Sequence, residues 1–347
     1  MLYNQVMKFL RKLLCLITIL CLCACSSSNS VVKTYHTYTC YPIGYLLNRI
    51  GGDRISTTSI QNGSDIQNAT IVENYQDIID NSIAFYYING LEPYMDLYSD
   101  AILDSSASKI DLSSSSIYSF KRYTPVNVNG SVTYVENPYY DGDIFDEIDT
   151  YSNDLFLWLN PIGMLSMAKQ IYNYLSSNYS EQAAYFKENY ESLENDLISL
   201  DASYQNLATS LVKNNQHIKF VSMTPSFGSW QKAYGIEVYP VCLSKYGALP
   251  TDSELEIIKE RIVADGVEYI AYEPNMSEDM LELFSRLEKE LNLKRVNLSN
   301  ISSLTVTQKT DNKDYLTLMY ENLAVLESIA SSSSDTNTES SASWNFY

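Results

Sequence analysis

Short apolar runs alternate with longer amphipathic stretches along the first third of the chain, beginning at Val31. Runs rich in β-branched and aromatic residues predict strands, and apolar residues spaced three or four apart predict helices. The predicted strands are residues 31–38, 55–60, 84–88 and 109–112. The predicted helices are residues 42–49, 71–81 and 92–103. This alternating order indicates a parallel sheet that is covered by helices.

A second series of the same kind begins at residue 218. Its predicted strands are residues 218–223, 237–243, 267–272 and 294–298. Its predicted helices are residues 227–233, 252–264 (with Thr251 as the N-cap), 278–291 and 313–329. The fold class is therefore α/β, with two lobes that each hold a parallel-type sheet flanked by helices. Ligands of such lobe pairs usually bind in the interlobe cleft, at the carboxyl ends of the strands.

One long helix is predicted between the two series, because residues 180–212 contain neither Pro nor Gly. Phe186, Tyr190, Leu193, Leu197 and Leu200 form one apolar stripe along it. At 1.5 Å per residue it would be about 45–50 Å long, which is long enough to join two lobes. A coiled-coil partner helix is the alternative, although the stripe lacks a sustained heptad. The expected domains are an N-terminal lobe at 34–165, a helical segment at 166–213 and a C-terminal lobe at 214–330.

Residues 113–154 interrupt the alternating pattern with a polar, Tyr-rich and acidic segment. Its acidic residues are Glu136, Asp141, Asp143, Asp146, Glu147, Asp149 and Asp154. A long segment without regular pattern is often functional or mobile, so a cation-collecting loop is one interpretation. A solvated loop or a small hairpin is the other, and the sequence leaves both open. The spacing after Asp141 does not match an EF-hand, because position 6 is not Gly.

The N-terminus has the pattern of a bacterial lipoprotein signal. Lys8, Arg11 and Lys12 precede an apolar run at 13–22 that is too short to span a bilayer. The run ends in Leu-Cys-Ala followed by Cys25, which predicts cleavage before Cys25 and attachment of lipid to that residue. We therefore expect a signal peptide at 1–24, a flexible tether at 25–33 and a location on the extracytoplasmic face of the cell membrane. An uncleaved N-terminal anchor is the alternative.

The amino-acid composition limits the classes of function that this chain can have. The 347 residues carry 42 Asp and Glu against 23 Lys and Arg, a formal charge of −19, which argues against a nucleic-acid partner. The chain has 30 Tyr, an excess that fits interaction surfaces but has no single physical explanation. After cleavage Cys40 and Cys242 remain as internal cysteines, and they either pair or stay as free thiols. The Ser-rich segment 331–347 is expected to be a disordered tail.

Several segments, in order between about residues 34 and 329, resemble the zinc/manganese ABC-transporter substrate-binding lipoproteins. They are residues 40–55, Asn89-Gly90-Leu91-Glu92-Pro93, Trp158-Leu159-Asn160-Pro161, Phe227-Gly228-Ser229-Trp230 with Tyr234-Gly235-Ile236, and Tyr272-Glu273-Pro274. The resemblance implies two lobes on a rigid helix and a cation, Zn²⁺ or Mn²⁺, carried as the transported ligand in the cleft. It also implies delivery to an ABC permease with a cytoplasmic ATPase, with no enzymatic activity and no resident cofactor.

That family binds its metal through three His and one carboxylate, and this chain differs at every matching position. The matching residues are Gln67, Phe156, Thr224 and Ser299, or Asn300 if the register shifts by one. Zinc and manganese sites of this type need imidazole or carboxylate donors, and these residues offer neutral oxygens or a phenyl ring. Glu273, at the carboxyl end of a strand, is expected to face the cleft as a remaining carboxylate.

The two histidines of the chain do not restore such a site. His36 lies on the first strand and is expected to be a hydrogen-bonded structural residue, and His217 is expected to be exposed. Three hypotheses remain for a monomeric, lipid-anchored protein. It is a receptor that carries a cation at a shifted site, a receptor for another ligand or none, or a surface adhesion protein that meets a partner through its tyrosines.

Overall fold

The computed structural model of the chain describes residues 34–113, 121–128, 130–138, 143–145 and 153–342. These residues lie in one compact unit that begins at Thr34. The predicted signal peptide, the tether with Cys25, part of the acidic segment and residues 343–347 lie outside the described residues. None of the helices in the described ranges combines the length and apolarity needed to span a bilayer.

The first half of the unit is built on a parallel sheet. In chain order its elements are β1 (Thr34–Tyr38), α1 (Tyr41–Gly51), β2 (Ile55–Ser59), β3 (Gln61–Asn62), β4 (Thr70–Ile71), α2 (Tyr75–Asp80), β5 (Ala84–Tyr87), α3 (Pro93–Leu103) and β6 (Ser108–Asp111). Strands β2, β1, β5 and β6 lie side by side in that order, all parallel. The helix predicted at 71–81 is shorter in the structure and spans Tyr75–Asp80, and its predicted first residue, Ile71, pairs with β3 as part of β4.

A β-hairpin follows this sheet within the segment that the sequence left open. Its strands are β7 (Lys121–Val128) and β8 (Ser131–Pro138), which pair antiparallel with Val128 opposite Ser131. Gly130 has a φ of 84°, which a two-residue turn of this kind requires and which Gly adopts readily. The small hairpin expected as one alternative is therefore present at 121–138.

The second half repeats the architecture of the first. It follows the two helices α4 (Pro161–Asn178) and α5 (Ala183–Asn214). Its elements are β9 (Lys219–Ser222), α6 (Gly228–Tyr234), β10 (Glu237–Pro240), α7 (Asp252–Ala264), β11 (Tyr269–Tyr272), α8 (Glu278–Glu290), β12 (Lys294–Asn297), α9 (Val306–Thr310) and α10 (Tyr315–Ala342). The strands lie in the order β10, β9, β11, β12, again all parallel. Thr251 forms the expected N-cap of α7, as part of a capping box with Glu254.

The long helix α5 packs against elements of both halves, as predicted. In its first part, Asn189 donates to the Ile50 carbonyl at 3.0 Å and Asp196 forms an ion pair with Arg49 at 2.7 Å. Further along, the Tyr204 hydroxyl donates to the Met319 carbonyl at 2.8 Å. The side chains of the apolar stripe are buried, so the helix is held by its packing face.

The C-terminal segment differs from the prediction. A disordered tail was expected from residue 331, but α10 continues to Ala342. The reason is that residues 331–342 follow an amphipathic helix directly and contain neither Gly nor Pro to end it.

The two internal cysteines, Cys40 and Cys242, are buried free thiols, which decides between the two alternatives left by the sequence. Burial raises the pKa of both thiols, so neither is activated as a thiolate.

Candidate functional site

Glu273 follows β11 directly and is completely buried at the carboxyl edge of the C-terminal sheet. Its Oε1 accepts a hydrogen bond from the Ser222 hydroxyl at 2.9 Å. The same oxygen accepts from the backbone N–H groups of Met223 at 2.8 Å and Thr224 at 3.1 Å. These donors lie at the end of β9, the neighbouring strand, because parallel strands end at the same edge of a sheet.

The other oxygen of Glu273 is bound just as fully. Oε2 accepts from Asn300 Nδ2 at 3.0 Å, from the Thr224 hydroxyl and, more weakly at 3.4 Å, from the Ser226 hydroxyl. The Thr224 and Ser226 hydroxyls also lie 2.6 Å apart. One carboxyl group, which follows β11, thus binds side chains from two other segments at this edge, the one at the end of β9 and the one after β12.

The pKa of Glu273 depends on two opposing effects of these surroundings. Burial raises the pKa of the carboxyl group, and the hydrogen bonds from Thr224, Ser222 and Asn300 oppose that rise. A cation at this point would have to displace donors that already satisfy both oxygens. The arrangement therefore behaves as a structural hydrogen-bond centre.

Ser299 and Asn300 have different hydrogen-bond partners, although they are neighbours in sequence. The Ser299 backbone exchanges two hydrogen bonds with the Asn322 side chain, both at 2.8 Å, and its hydroxyl accepts from the Ile301 N–H at 3.2 Å. Of the two residues, only Asn300 reaches Glu273 through its side chain.

Gln67 lies in the loop between β3 and β4 and is buried. Its Nε2 donates to the backbone carbonyls of Cys242 at 3.2 Å and Ser244 at 2.5 Å, both in the C-terminal half. Its Oε1 is buried and has no hydrogen-bond partner. The side chain therefore joins the two halves directly.

Phe156 is also buried, and its ring centroid lies 5.1 Å from that of Trp158. The Phe156 N–H donates to Asp154 Oδ1 at 2.9 Å, and Asp154 Oδ2 accepts from the Ser229 N–H at 2.9 Å in the first turn of α6. Burial raises the pKa of Asp154 to about 6, and these backbone donors oppose the rise. Asp154, from the acidic segment, thus serves as a buried link between the halves.

A second buried glutamate, Glu92, lies at the carboxyl edge of the N-terminal sheet, just before α3. Neither carboxyl oxygen makes a hydrogen bond, and the neighbouring Thr39 and Tyr94 hydroxyls are also buried without partners. Burial raises the pKa of Glu92 to about 7, and the adjoining Thr39 and Cys40 side chains only partly oppose this.

Both histidines behave as the sequence predicts. His36 is buried, with Nε2 3.1 Å from the Thr34 hydroxyl and Nδ1 3.2 Å from the Tyr86 hydroxyl. Burial lowers the pKa of His36 to about 4, so the ring is neutral near pH 7. The His217 side chain is 48% exposed and lies 3.9 Å from Glu237.

The residues at the implied metal position do not fit zinc. Thr224 and Asn300 hydrogen-bond to Glu273, Gln67 to backbone carbonyls, and Phe156 offers no donor atom. Across the described part of the chain, no group of three or more His, Cys, Asp or Glu side chains is placed to hold a metal ion. Zinc sites require several such donors.

Sequence reasoning missed the donors Ser222 and Ser226, and it assigned Glu92 only to a motif. A signal for the first two exists, because Ser222, Thr224 and Ser226 alternate with Met223 and Pro225 at the end of a buried strand. Such polar residues at the carboxyl end of a parallel strand commonly line a site.

Comparison with known proteins identifies the family that shares this architecture. The model of the family described as zinc-uptake complex component A, periplasmic (ZnuA), matches residues 37–329. The zinc-binding lipoprotein AdcA of Streptococcus pneumoniae is 26% identical over 187 residues, which cover 54% of this chain and 36% of that protein. The chain thus spans about a third of the length of the curated relatives it matches.

Solved structures show the same fold. The Zn(II)-bound ZnuA-like domain of Streptococcus pneumoniae AdcA superposes with a TM-score of 0.62 at 19% identity, covering 86% of this chain and 99% of that one. The laminin-binding protein Lmb of Streptococcus agalactiae, described as an adhesin with metal-transporting activity, gives 0.64 at 17% identity, covering 85% and 98%. The predicted two-sheet α/β fold is therefore confirmed.

The match to the family model extends over both sheets and the long helix between them. The chain therefore belongs to the family described as zinc-uptake complex component A, periplasmic (ZnuA).

Proposed function

We propose that this protein is a monomeric, lipid-anchored, extracytoplasmic substrate-binding receptor that delivers a solute to an ABC permease with its ATPase. Membership of the zinc-uptake family supports the transport role. The lipobox at Cys25 supports the anchor. The lobes of this receptor are residues 34–165 and 214–330, joined by the helical segment 166–213.

The same proposal holds that the usual metal position is filled by the chain itself. The observation that carries it is the Glu273 carboxyl group, whose two oxygens already bind Thr224, Asn300 and the surrounding donors. Removing a divalent ion from water without a counter-charge and without basic ligands is costly. The receptor therefore takes another ligand, or works without a tightly held metal.

Calorimetric titration of the chelator-treated full chain with Zn²⁺ and with Mn²⁺ tests this. We expect no one-to-one binding at submicromolar concentration. A variant carrying Gln67→His, Phe156→His and Thr224→His supplies three imidazoles and is expected to gain zinc binding. Submicromolar binding by the unaltered chain would contradict the proposal.

Membrane fractionation tests the anchor separately. The Cys25→Ala variant is expected to leave the membrane fraction, because it removes the residue that carries the lipid. Cys23→Ala is the matched control, since it changes a neighbouring cysteine and is expected to stay membrane-bound. Retention of the Cys25→Ala variant in membranes would exclude lipid attachment at Cys25.

A surface adhesion role is the alternative, and exposed apolar residues favour it. Leu97 is 81% exposed and Tyr35 is 58% exposed. The structural likeness to Lmb, an adhesin that binds laminin, suggests laminin as the first partner to test. Saturable binding of the full chain to immobilised laminin, weakened by Leu97→Ser, would favour adhesion over solute transport.

A further inference from the structure

One loop of the N-terminal half is held between two loops of the C-terminal half. The loop, residues 64–68, joins β3 to β4. On one side, the Ser64 carbonyl accepts hydrogen bonds from the hydroxyls of Ser303 at 2.8 Å and Ser302 at 3.3 Å. Both serines follow β12, so the contact joins the edges of the two sheets.

On its other side the loop contacts residues 242–247. Gln67 donates to the carbonyls of Cys242 and Ser244. Asn68 packs so closely on Gly247 that a Cβ there would lie 2.6 Å from its side chain, and Gly247 has a φ of 73°. A side chain at this position would be strained by the positive φ and would push against Asn68, so Gly favours this close approach.

A third contact closes the same side of the interface. Asp96, on α3, accepts a hydrogen bond from the Tyr246 hydroxyl at 3.1 Å and pairs with Lys245 at 2.5 Å. The Asp96 side chain is 44% exposed, so this contact lies at the solvent-facing rim. We name the contacts of residues 64–68 and of Asp96 with the C-terminal half the polar latch.

Other contacts between the two halves have a different character. The Trp158 indole donates to the Asn300 carbonyl at 2.7 Å, and the Trp230 indole donates to the Leu159 carbonyl at 2.8 Å. These tryptophans are completely buried in the main core. Because solvent-exposed polar contacts open more readily than buried aromatic ones, the polar latch is the part of the interface that would open first.

We propose that the polar latch is an autoinhibitory contact, in which the 64–68 loop takes the place of a bound ligand and holds the two halves closed without one. A ligand closes a two-lobed receptor by contacting both halves at once. Gln67 makes such a contact while belonging to one half, at a position for which the resemblance implies a metal ligand. The inference rests on the proposed receptor function, because only a receptor needs its cleft to open.

Hydrogen exchange of backbone amides in the full chain tests the latch. The amides of Gln67, Ala69 and Gly247 are hydrogen-bonded within these loops, so closure protects them. In the unaltered chain, we expect the same protection with chelator and with added Zn²⁺. In Gln67→Ala, exchange at residues 64–69 and 242–247 is expected to rise by about tenfold or more.

Two further variants make the result decisive. Gln216→Ala is the matched control, because Gln216 donates to the Ala330 carbonyl at 2.8 Å away from both loops and its loss should leave their exchange unchanged. Asp96→Asn removes the charge of Asp96 at an exposed site and is expected to raise exchange at residues 242–247 by about threefold. This variant tests the latch even if Gln67→Ala fails to fold.

Two results would overturn the latch. One is exchange at 64–69 that Gln67→Ala and Asp96→Asn both leave unchanged. The other is protection in the unaltered chain that appears only after metal is added. The first result would overturn the latch while the calorimetric titration still shows no metal binding, so the latch can fail without the proposed function. The second result would be accompanied by metal binding in the titration and would overturn both.

Discussion

Two buried glutamates occupy equivalent places in the two halves of the molecule, and their surroundings are opposite. Glu92 and Glu273 each follow a central strand at the carboxyl edge of its sheet, and each precedes a Pro. Glu273 accepts hydrogen bonds on both oxygens, whereas Glu92 accepts none. The same residue type at the same kind of position is thus a structural centre in one half and an unsatisfied group in the other.

The comparison shows what sets the cost of a buried carboxyl group. Burial raises the pKa of both residues. At Glu273 the donors offset much of the loss of water, while at Glu92 nothing comparable does so. We therefore expect substitutions of the two residues to have opposite effects on stability.

The largest effect is expected for Glu273→Gln. Whichever way the carboxamide turns, its NH₂ group faces a group that is already a donor, either the Met223 and Thr224 N–H groups or Asn300 Nδ2, so at least one of these donors loses its acceptor. We expect the free energy of unfolding to fall by about 3–4 kcal/mol in urea titrations at pH 7. The exposed Glu282→Gln is the control, with an expected change below about 0.5 kcal/mol.

The second effect concerns pH and is expected for Glu92→Gln. The pKa of Glu92 is about 7 in the folded protein against an ordinary 4.5, so the folded state binds more protons between these values. The stability that this group contributes is full below about pH 4.5 and is lost as the pH rises through about 7. A Gln side chain is neutral at every pH, so the variant does not lose this stability as the pH rises.

Between pH 4.5 and pH 8, Glu92→Gln should therefore gain on the order of 3 kcal/mol relative to the unaltered chain. Urea titrations at the two pH values measure this. An unchanged pH dependence in the variant would show that Glu92 is satisfied in solution, and the contrast with Glu273 would disappear.

A smaller effect is expected for Thr224→Val, which keeps the shape of the side chain and removes its hydroxyl. The variant loses the bonds to Glu273 and Ser226 but keeps the backbone N–H bond. We expect a loss of about 1.5 kcal/mol in thermal or urea unfolding. A loss as large as that of Glu273→Gln would mean that the hydroxyl, not the backbone, satisfies the carboxyl group.

The smallest effect is expected for Ser226→Ala, because its bond to Glu273 is long at 3.4 Å. The variant should cost about 0.5–1 kcal/mol by the same measurement. If it costs more than Thr224→Val, the order of donors around Glu273 is wrong.

The sequence alone predicted most of the secondary structure, because the signals for helices and strands are local. The apolar pattern gave nearly all strands of both sheets and the long helix, since periodicity and capping residues act over a few positions. The motifs indicated the family, and the residue types at Gln67, Phe156, Thr224 and Ser299 argued against an ordinary zinc site, which stays a prediction. The short helix α9 and the helical course of residues 331–342 were missed, although the capping box of Thr305 with Gln308 and the absence of Gly and Pro after residue 330 are local signals for them.

Only the tertiary structure decided what the two Glu-Pro pairs are. The donors to Glu273 come from positions far along the chain, such as Ser222 and Asn300, and no local pattern shows that they converge. The same holds for Gln67, whose partners lie 175 and 177 residues away. The charge and role of a buried polar group depend on how many hydrogen-bond donors the fold brings to it. That number depends on which distant segments of the chain come into contact, so it is decided by the tertiary structure.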